Sequence, residues 1–289
     1  MPNILSCERV AGLAILAAVA LAPAARAEQA SGPSLRTHGP IEVHRRDDGT
    51  LARGPRNEFM TSNWSGYAIG HYQTGQNYTS AQGSWVVPTV TFGATQSSTS
   101  EQYSATWVGI GGFCMNALCT RSDRTLIQLG TSQYVSSSGA TSYFAWYEML
   151  PQAPVTITAI TVSPGDQISA SLQCVSACSA KKQGWQLSMT NTTTGQNWSQ
   201  KFTYASSLAS AEWIEEAPYS NGVLPLADFN VVGIASSLGG NSAWNSLTVS
   251  ANGIQMNDPW GQTASPSSTD ANGFNICWGY GSMPSCSSP

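Results

Sequence analysis

Beyond residue 60 the 289-residue chain has a single histidine, His71, which follows a glycine in a stretch rich in Tyr, Gln and Gly. A Ser-His-Asp site would have to use it. No G-x-S-x-G elbow, no H-E-x-x-H and no glycine-rich phosphate loop occurs in the strand-to-helix context such motifs need, so His71 reads as a surface residue. The remaining candidates for a base are carboxylates, whose ordinary pKa of about 4.3 suits work in acid. Of the ten between Glu101 and Asp270, the aspartates 123, 166, 258 and 270 sit in turn contexts where aspartate is common. Glu148 in AWYE and Glu212 in AEWI lie instead in strand-like segments that carry tryptophan.

Strands must position these groups. Short runs rich in Val, Ile, Thr, Trp and Tyr recur between Gly, Ser, Asn and Pro clusters, among them Ala105 to Ile110, Leu126 to Leu129, Tyr143 to Met149, Val155 to Val162, Trp185 to Thr190, Ala211 to Glu215 and Leu247 to Ser250. No stretch holds a 3.6-residue apolar period, so few or no helices are expected. The fold class is all-β, an antiparallel β-sandwich of two packed sheets, lectin-like or jelly-roll in type. Alternation places Gln128 on the face of Leu126, Glu148 with Phe144 and Trp146, and Glu212 with Ile214, opposite Trp213.

Residues 1–27 have the layout of a secretory signal peptide: Arg9, an apolar run from Val10 to Leu21, and Ala25-Arg26-Ala27 as the cleavage site. That run is shorter than the roughly 20 residues of a spanning helix. The chain is therefore expected to be secreted, extracellular or periplasmic in transit, with no membrane association once the signal is removed. Residues 28–58 are basic and poor in large apolar side chains, with Arg36, His38, His44, Arg45, Arg46, Arg53 and Arg56. Such a stretch reads either as a disordered linker or as a basic pro-segment laid over an acidic site. Residues 59–289 form the catalytic domain, and a monomer is expected.

After residue 60 five bases stand against ten carboxylates, a net charge of about −5. Nucleic acid is an unsuitable partner for such a surface. The scarcity of charge also limits what acid can disrupt, since acid unfolding acts mainly by protonating paired carboxylates. Six cysteines beyond the signal fall into local couples, 114/119, 174/178 and 277/286, and read as disulfides. Fifteen pairings remain open to six cysteines. No histidine accompanies them as a mixed zinc site would require, and neither metal nor cofactor is expected.

Five strings, NWSGY at 63–67, WVGI at 107–110, TLIQLG at 125–130, AWYE at 145–148 and AEWI at 211–214, come in the order and rough spacing of the glutamic peptidases, or eqolisins, which the chain resembles over residues 60–235. The resemblance implies a secreted precursor, a two-sheet sandwich with a cleft, protein or peptide substrates, and a catalytic pair formed by Gln128 and Glu212. It further implies that Trp64 and Trp107 lie near the cleft and that Glu148 supports the pair. In the mechanism it implies, the ionised glutamate takes a proton from water and returns it to the leaving nitrogen, while the glutamine amide holds the oxyanion. An amide suits that task because it donates hydrogen bonds without titrating. Two positions depart from the fungal pattern: Gly111 and Phe144 stand where aspartates are usual. Two other readings use the same residues, a jelly-roll glycoside hydrolase with Glu148 and Glu212 as its carboxyl pair, and a non-catalytic carbohydrate-binding sandwich with an aromatic platform.

Overall fold

Strands with a period of two form where the aromatic and β-branched runs lie, since alternation gives each one a buried face. The computed structural model describes residues 35–93, 101–235, 253–270, 273–279 and 286. Its strands are β1 (Phe59–Thr61), β2 (Trp64–Gly70), β3 (Ser80–Val86), β4 (Glu101–Gly111), β5 (Leu126–Ser136), β6 (Thr141–Met149), β7 (Val155–Thr156) and β8 (Gln167–Ser176). They continue as β9 (Gln183–Asn191), β10 (Gln196–Tyr204), β11 (Ser210–Glu216), β12 (Val231–Ala235), β13 (Gly253–Asn257), β14 (Thr263–Pro266) and β15 (Gly273–Trp278). The one helix among the described residues is a single turn, α1 (His71–Thr74), and His71 is exposed as its loop-like surroundings suggested.

Hydrogen bonding runs in one path, β10-β9-β8-β3-β12-β15-β14-β13-β2-β11-β4-β5-β6-β7, antiparallel throughout, with β1 added parallel to β13. The path doubles over as a sandwich. Trp213 Nε1 on β11 donates to Gln82 O on β3 at 2.7 Å, and Trp85 Nε1 on β3 donates to Thr131 Oγ1 on β5 at 3.0 Å. Between the layers lies a core that includes Trp85, Trp185, Trp213, Val108, Ile127 and Leu129. The two ends of the path meet where Tyr147 of β6 stacks on Trp198 of β10 at 5.2 Å. Three local disulfides, Cys114–Cys119, Cys174–Cys178 and Cys277–Cys286, tie turns.

Two expectations are corrected. Val155 to Val162 is not one strand: only Val155–Thr156 pairs, and Ile160 N then bonds Ile157 O in a turn that buries both isoleucines on the same side. Residues 35–58 follow a defined course despite their composition. Val43 bridges to Thr61, Arg45 to Leu51 and Thr37 to Tyr219, and Leu35, Ile41, Val43 and Leu51 cover a second apolar cluster on the outer face of β2, β11, β4, β5 and β6. That cluster holds Trp64, Trp107, Trp146, Leu126 and Ile214. Residues 1–27, read as a signal peptide, and Leu247 to Ser250 lie outside the described residues.

Gly130 on β5 has no room for a side chain, because a Cβ there would collide with the carbonyl oxygen of Thr106 and with Trp107. Gly130→Ala is expected to lower stability by about 2 kcal/mol, as overpacking of a core does. A urea titration whose midpoint does not move would refute that expectation.

Candidate active site

Cross-strand pairing puts Glu212, Gly109, Gln128 and Glu148 in one row on the outer face of β11, β4, β5 and β6. Directly opposed residues point to the same side, so the row should bring Glu212 within two strands of Gln128. Gly109, between them, leaves a gap that other side chains fill. A Cβ built at Gly109 would meet the Trp107 ring at 2.9 Å and Leu126 Cδ1 at 3.2 Å. Gln128 Cβ lies at 3.3 Å from the same point, so the space over Gly109 is already crowded.

Glu212 is fully buried, and neither of its oxygens makes a hydrogen bond of normal geometry. Its electrostatic neighbours are Ser210 and Asp123, and burial raises its carboxyl well above the ordinary range. The glutamate that meets the predicted site residues is Glu216, four positions further along the same strand face. Its Oε2 accepts from Trp107 Nε1 at 2.8 Å and lies 2.9 Å from His38 Nδ1. Its Oε1 accepts from Gly39 N at 3.1 Å and, more distantly, from Trp64 Nε1 at 3.4 Å.

Gln128 and Glu148 join this group from the other side. Gln128 Nε2 donates to His38 O and to Glu148 Oε2, both at 3.1 Å, and the same Glu148 oxygen accepts from His38 N at 2.9 Å. The His38 ring lies flat on Trp146, with centroids 3.8 Å apart and planes 10° apart. Four of the five predicted residues, Gln128, Trp64, Trp107 and Glu148, thus meet around His38 and Gly39, while Glu212 does not. Glu216 and Trp146 were missed. Glu216 has a signal in the sequence, since an offset of four keeps it on Glu212's face.

Burial governs the electrostatics. It pushes Glu148 up to about 8, helped by the nearby Glu216 carboxyl and opposed by His38, and holds Glu216 well above the ordinary range. It pushes His38 down to about 4. Burial disfavours the charged form of each partner, and the His38 ring places Nδ1 2.9 Å from Glu216 Oε2 and Nε2 3.5 Å from Ser132 Oγ. At Gly111 the backbone takes φ 96°, and a Cβ would collide with the Thr125 carbonyl oxygen, so no aspartate fits the turn as built here.

Among the described residues no cluster of three His, Cys, Asp or Glu stands close enough to hold a metal, and no helix is long and apolar enough to cross a membrane. The fold has solved counterparts: the crystal structure of scytalido-glutamic peptidase with a transition state analog inhibitor aligns with a TM-score of 0.54 at 23% identity, covering 76% of this chain and 98% of that one. In sequence the chain is 31% identical over 198 residues to aspergillopepsin-2 of Aspergillus niger, covering 62% of this chain and 64% of that protein. It is 30% identical over 149 residues to scytalidopepsin B of Scytalidium lignicola, covering 51% and 47%. The aligned regions thus span less than two thirds of these curated relatives. Residues 62–278 match the family model of the Peptidase A4 family, and with three quarters of its length inside that match the chain belongs to this family.

Proposed function

We propose that this chain is a secreted acid endopeptidase of the glutamic type, in which Gln128 and Glu216 act on the peptide bond and Glu148 orients Gln128. One observation carries the reading: Gln128 Nε2 and Glu216 Oε1 address the two ends of a single peptide group, the carbonyl oxygen of His38 and the nitrogen of Gly39. Those are the atoms that a hydrolase must polarise and protonate. Ionised Glu216 would take a proton from water as the water oxygen bonds to the carbonyl carbon. The Gln128 amide would hold the oxyanion, with Glu148 accepting its other hydrogen and fixing its orientation. Collapse of the intermediate breaks the carbon–nitrogen bond as Glu216 returns the proton to the departing amine. Residues 28–58 are then a pro-segment and residues 1–27 a signal peptide, and the enzyme works as a monomer on unfolded protein.

Burial holds Glu216 above the carboxylate range, and His38 and Gly39 of the covering segment lie against both of its oxygens. Once uncovered and hydrated, it should return toward about 4, which matches an acid working pH. The structure gives the glycosidase reading less support, since Glu148 and Glu212 sit three strands apart, about 14 Å between backbones. The test is hydrolysis of a denatured protein at about pH 4 by the acid-incubated chain, beside a Gln128→Ala variant. That variant is expected to be slower by a factor of about 100 or more, the usual cost of an oxyanion donor. Full activity in a folded Gln128→Ala protein, or release of reducing sugar from a polysaccharide instead, would refute the reading.

A further inference from the structure

Two of the five bases beyond residue 60, Arg121 and Arg124, stand together on the connection that carries the chain from β4 to β5. With Met115, Ser122 and Asp123 they line an open pocket of about 450 Å³. Both arginines are exposed, and among the described residues neither guanidinium has a hydrogen bond or an ion pair. The connection that holds them is fixed: Cys114 is tied to Cys119, Met115 N donates to Arg121 O at 3.0 Å and Asp123 N to Phe113 O at 2.7 Å. Asp123, the one carboxylate on the pocket wall, is already engaged. Its oxygens accept from Thr125 N at 2.9 Å, from Thr125 Oγ1 at 3.0 and 3.1 Å, and from Ser207 Oγ. It pairs with neither arginine, so two cations face one anion across the pocket.

The pocket lies at one end of the cleft. Gly112 opens the connection three residues on from Gly109 of the Gln128 row, about 10 Å along the strand direction. Ile41 N donates to Gly112 O at 3.0 Å, so a chain in the cleft reaches this end after the bond that Gln128 and Glu216 address. We propose that Arg121 and Arg124 form a substrate subsite for a carboxylate side chain, aspartate or glutamate, about three to five extended residues on the C-terminal side of the cut bond. This rests on the peptidase reading given above. A guanidinium stays charged at every working pH, and its planar donors match a carboxylate. The charge of the ligand then sets the pH dependence: a glutamate side chain ionises near about 4.3, so the subsite tightens as pH rises from about 3 to about 5. The other charged groups set against this connection are Glu212, an electrostatic neighbour of Asp123, and Arg45, whose Nη2 donates to Cys119 O at 2.5 Å.

The experiment uses the full-length chain after acid incubation and peptides amidated at the C-terminus, so that a side chain and not the chain end supplies the carboxylate. Paired peptides differ only in Glu or Gln at the third, fourth or fifth residue after the cut bond. At about pH 5 wild type should show a KM about tenfold lower for the best Glu peptide than for its Gln counterpart, with kcat within about twofold, and the gap should close toward about pH 3 as the glutamate protonates. In the double variant Arg121→Gln with Arg124→Gln, confirmed as folded by circular dichroism, the paired peptides should share one KM at both pH values. Equal KM values for every pair in wild type at about pH 5, or a gap that persists in the folded double variant, overturns the inference and leaves the peptidase reading standing. A chain that cleaves neither these peptides nor a denatured protein overturns the peptidase reading, and the subsite with it.

Discussion

Glu216→Gln is expected to abolish acid hydrolysis, by a factor of about 1,000 or more in kcat, while Glu212→Gln keeps kcat/KM within about threefold of wild type. General acid–base catalysis by one positioned group accounts for 10²–10⁴ in rate, and only Glu216 reaches a peptide group that Gln128 also touches. Glutamine at 216 preserves shape and accepts the Trp107 hydrogen bond, but it cannot take a proton. At 212 the same change removes a buried carboxyl that makes no hydrogen bond of normal geometry, to Gln128 or to residues 38 and 39. The measurement is initial rate against substrate concentration after acid incubation, with circular dichroism to confirm folding. An inactive, folded Glu212→Gln protein beside an active Glu216→Gln would reverse the assignment and restore Glu212 to the site.

The sandwich was legible because strand alternation is a local property. Leu126 and Gln128 share the outer face while Ile127 and Leu129 enter the core, as a period of two requires. Strand β10 escaped notice because its run, QNWSQKFTY, is largely solvated and polar on one side and so lacks a dense apolar signal. Val155 to Val162 misled for the opposite reason, its alternation being real while only two residues find a partner strand.

The site was legible in its membership more than in its choice of glutamate. Glu212 and Glu216 have the same residue type, strand and face, and what separates them is that Trp107 Nε1 and Gly39 N reach Glu216 and not Glu212, a packing outcome no local string encodes. The covering segment was hidden by composition. Few apolar residues argued against a fixed course, but its backbone finds partners in Glu148, Gln128, Glu216, Asn63 and Tyr134, so hydrogen bonds supply what burial does not.

Folded stability should be greatest in acid and fall as pH rises from about 4.5 to 8, with a lower unfolding temperature at the alkaline end. Burial raises Glu148 and Glu215 to about 8, Asp258 to about 6, and Glu212 and Glu216 well above their ordinary values. A carboxyl with a raised folded-state pKa binds its proton more tightly in the folded than in the unfolded chain. Its contribution is fully present below the unfolded pKa and is lost as pH rises through the folded one. At about 1.4 kcal/mol per pKa unit, a glutamate near 8 in the folded state withdraws up to about 5 kcal/mol over that range, a large share of the 5–15 kcal/mol typical of a domain. His38 runs in the opposite sense: its lowered pKa makes seating of residues 36–42 secure above about 6.5 and progressively weaker as pH falls toward 4. Acid would therefore loosen the covering segment while it firms the sandwich beneath. Glu215 isolates the second effect, because it faces the sandwich interior, where Thr106 Oγ1 donates to it at 2.6 Å, and takes no part in the cleft. Glu215→Gln should raise the unfolding temperature near pH 8 and flatten its dependence on pH. A wild-type unfolding temperature that holds constant or climbs between pH 4.5 and 8 would show that these carboxyls are hydrated and ionise freely in the folded chain.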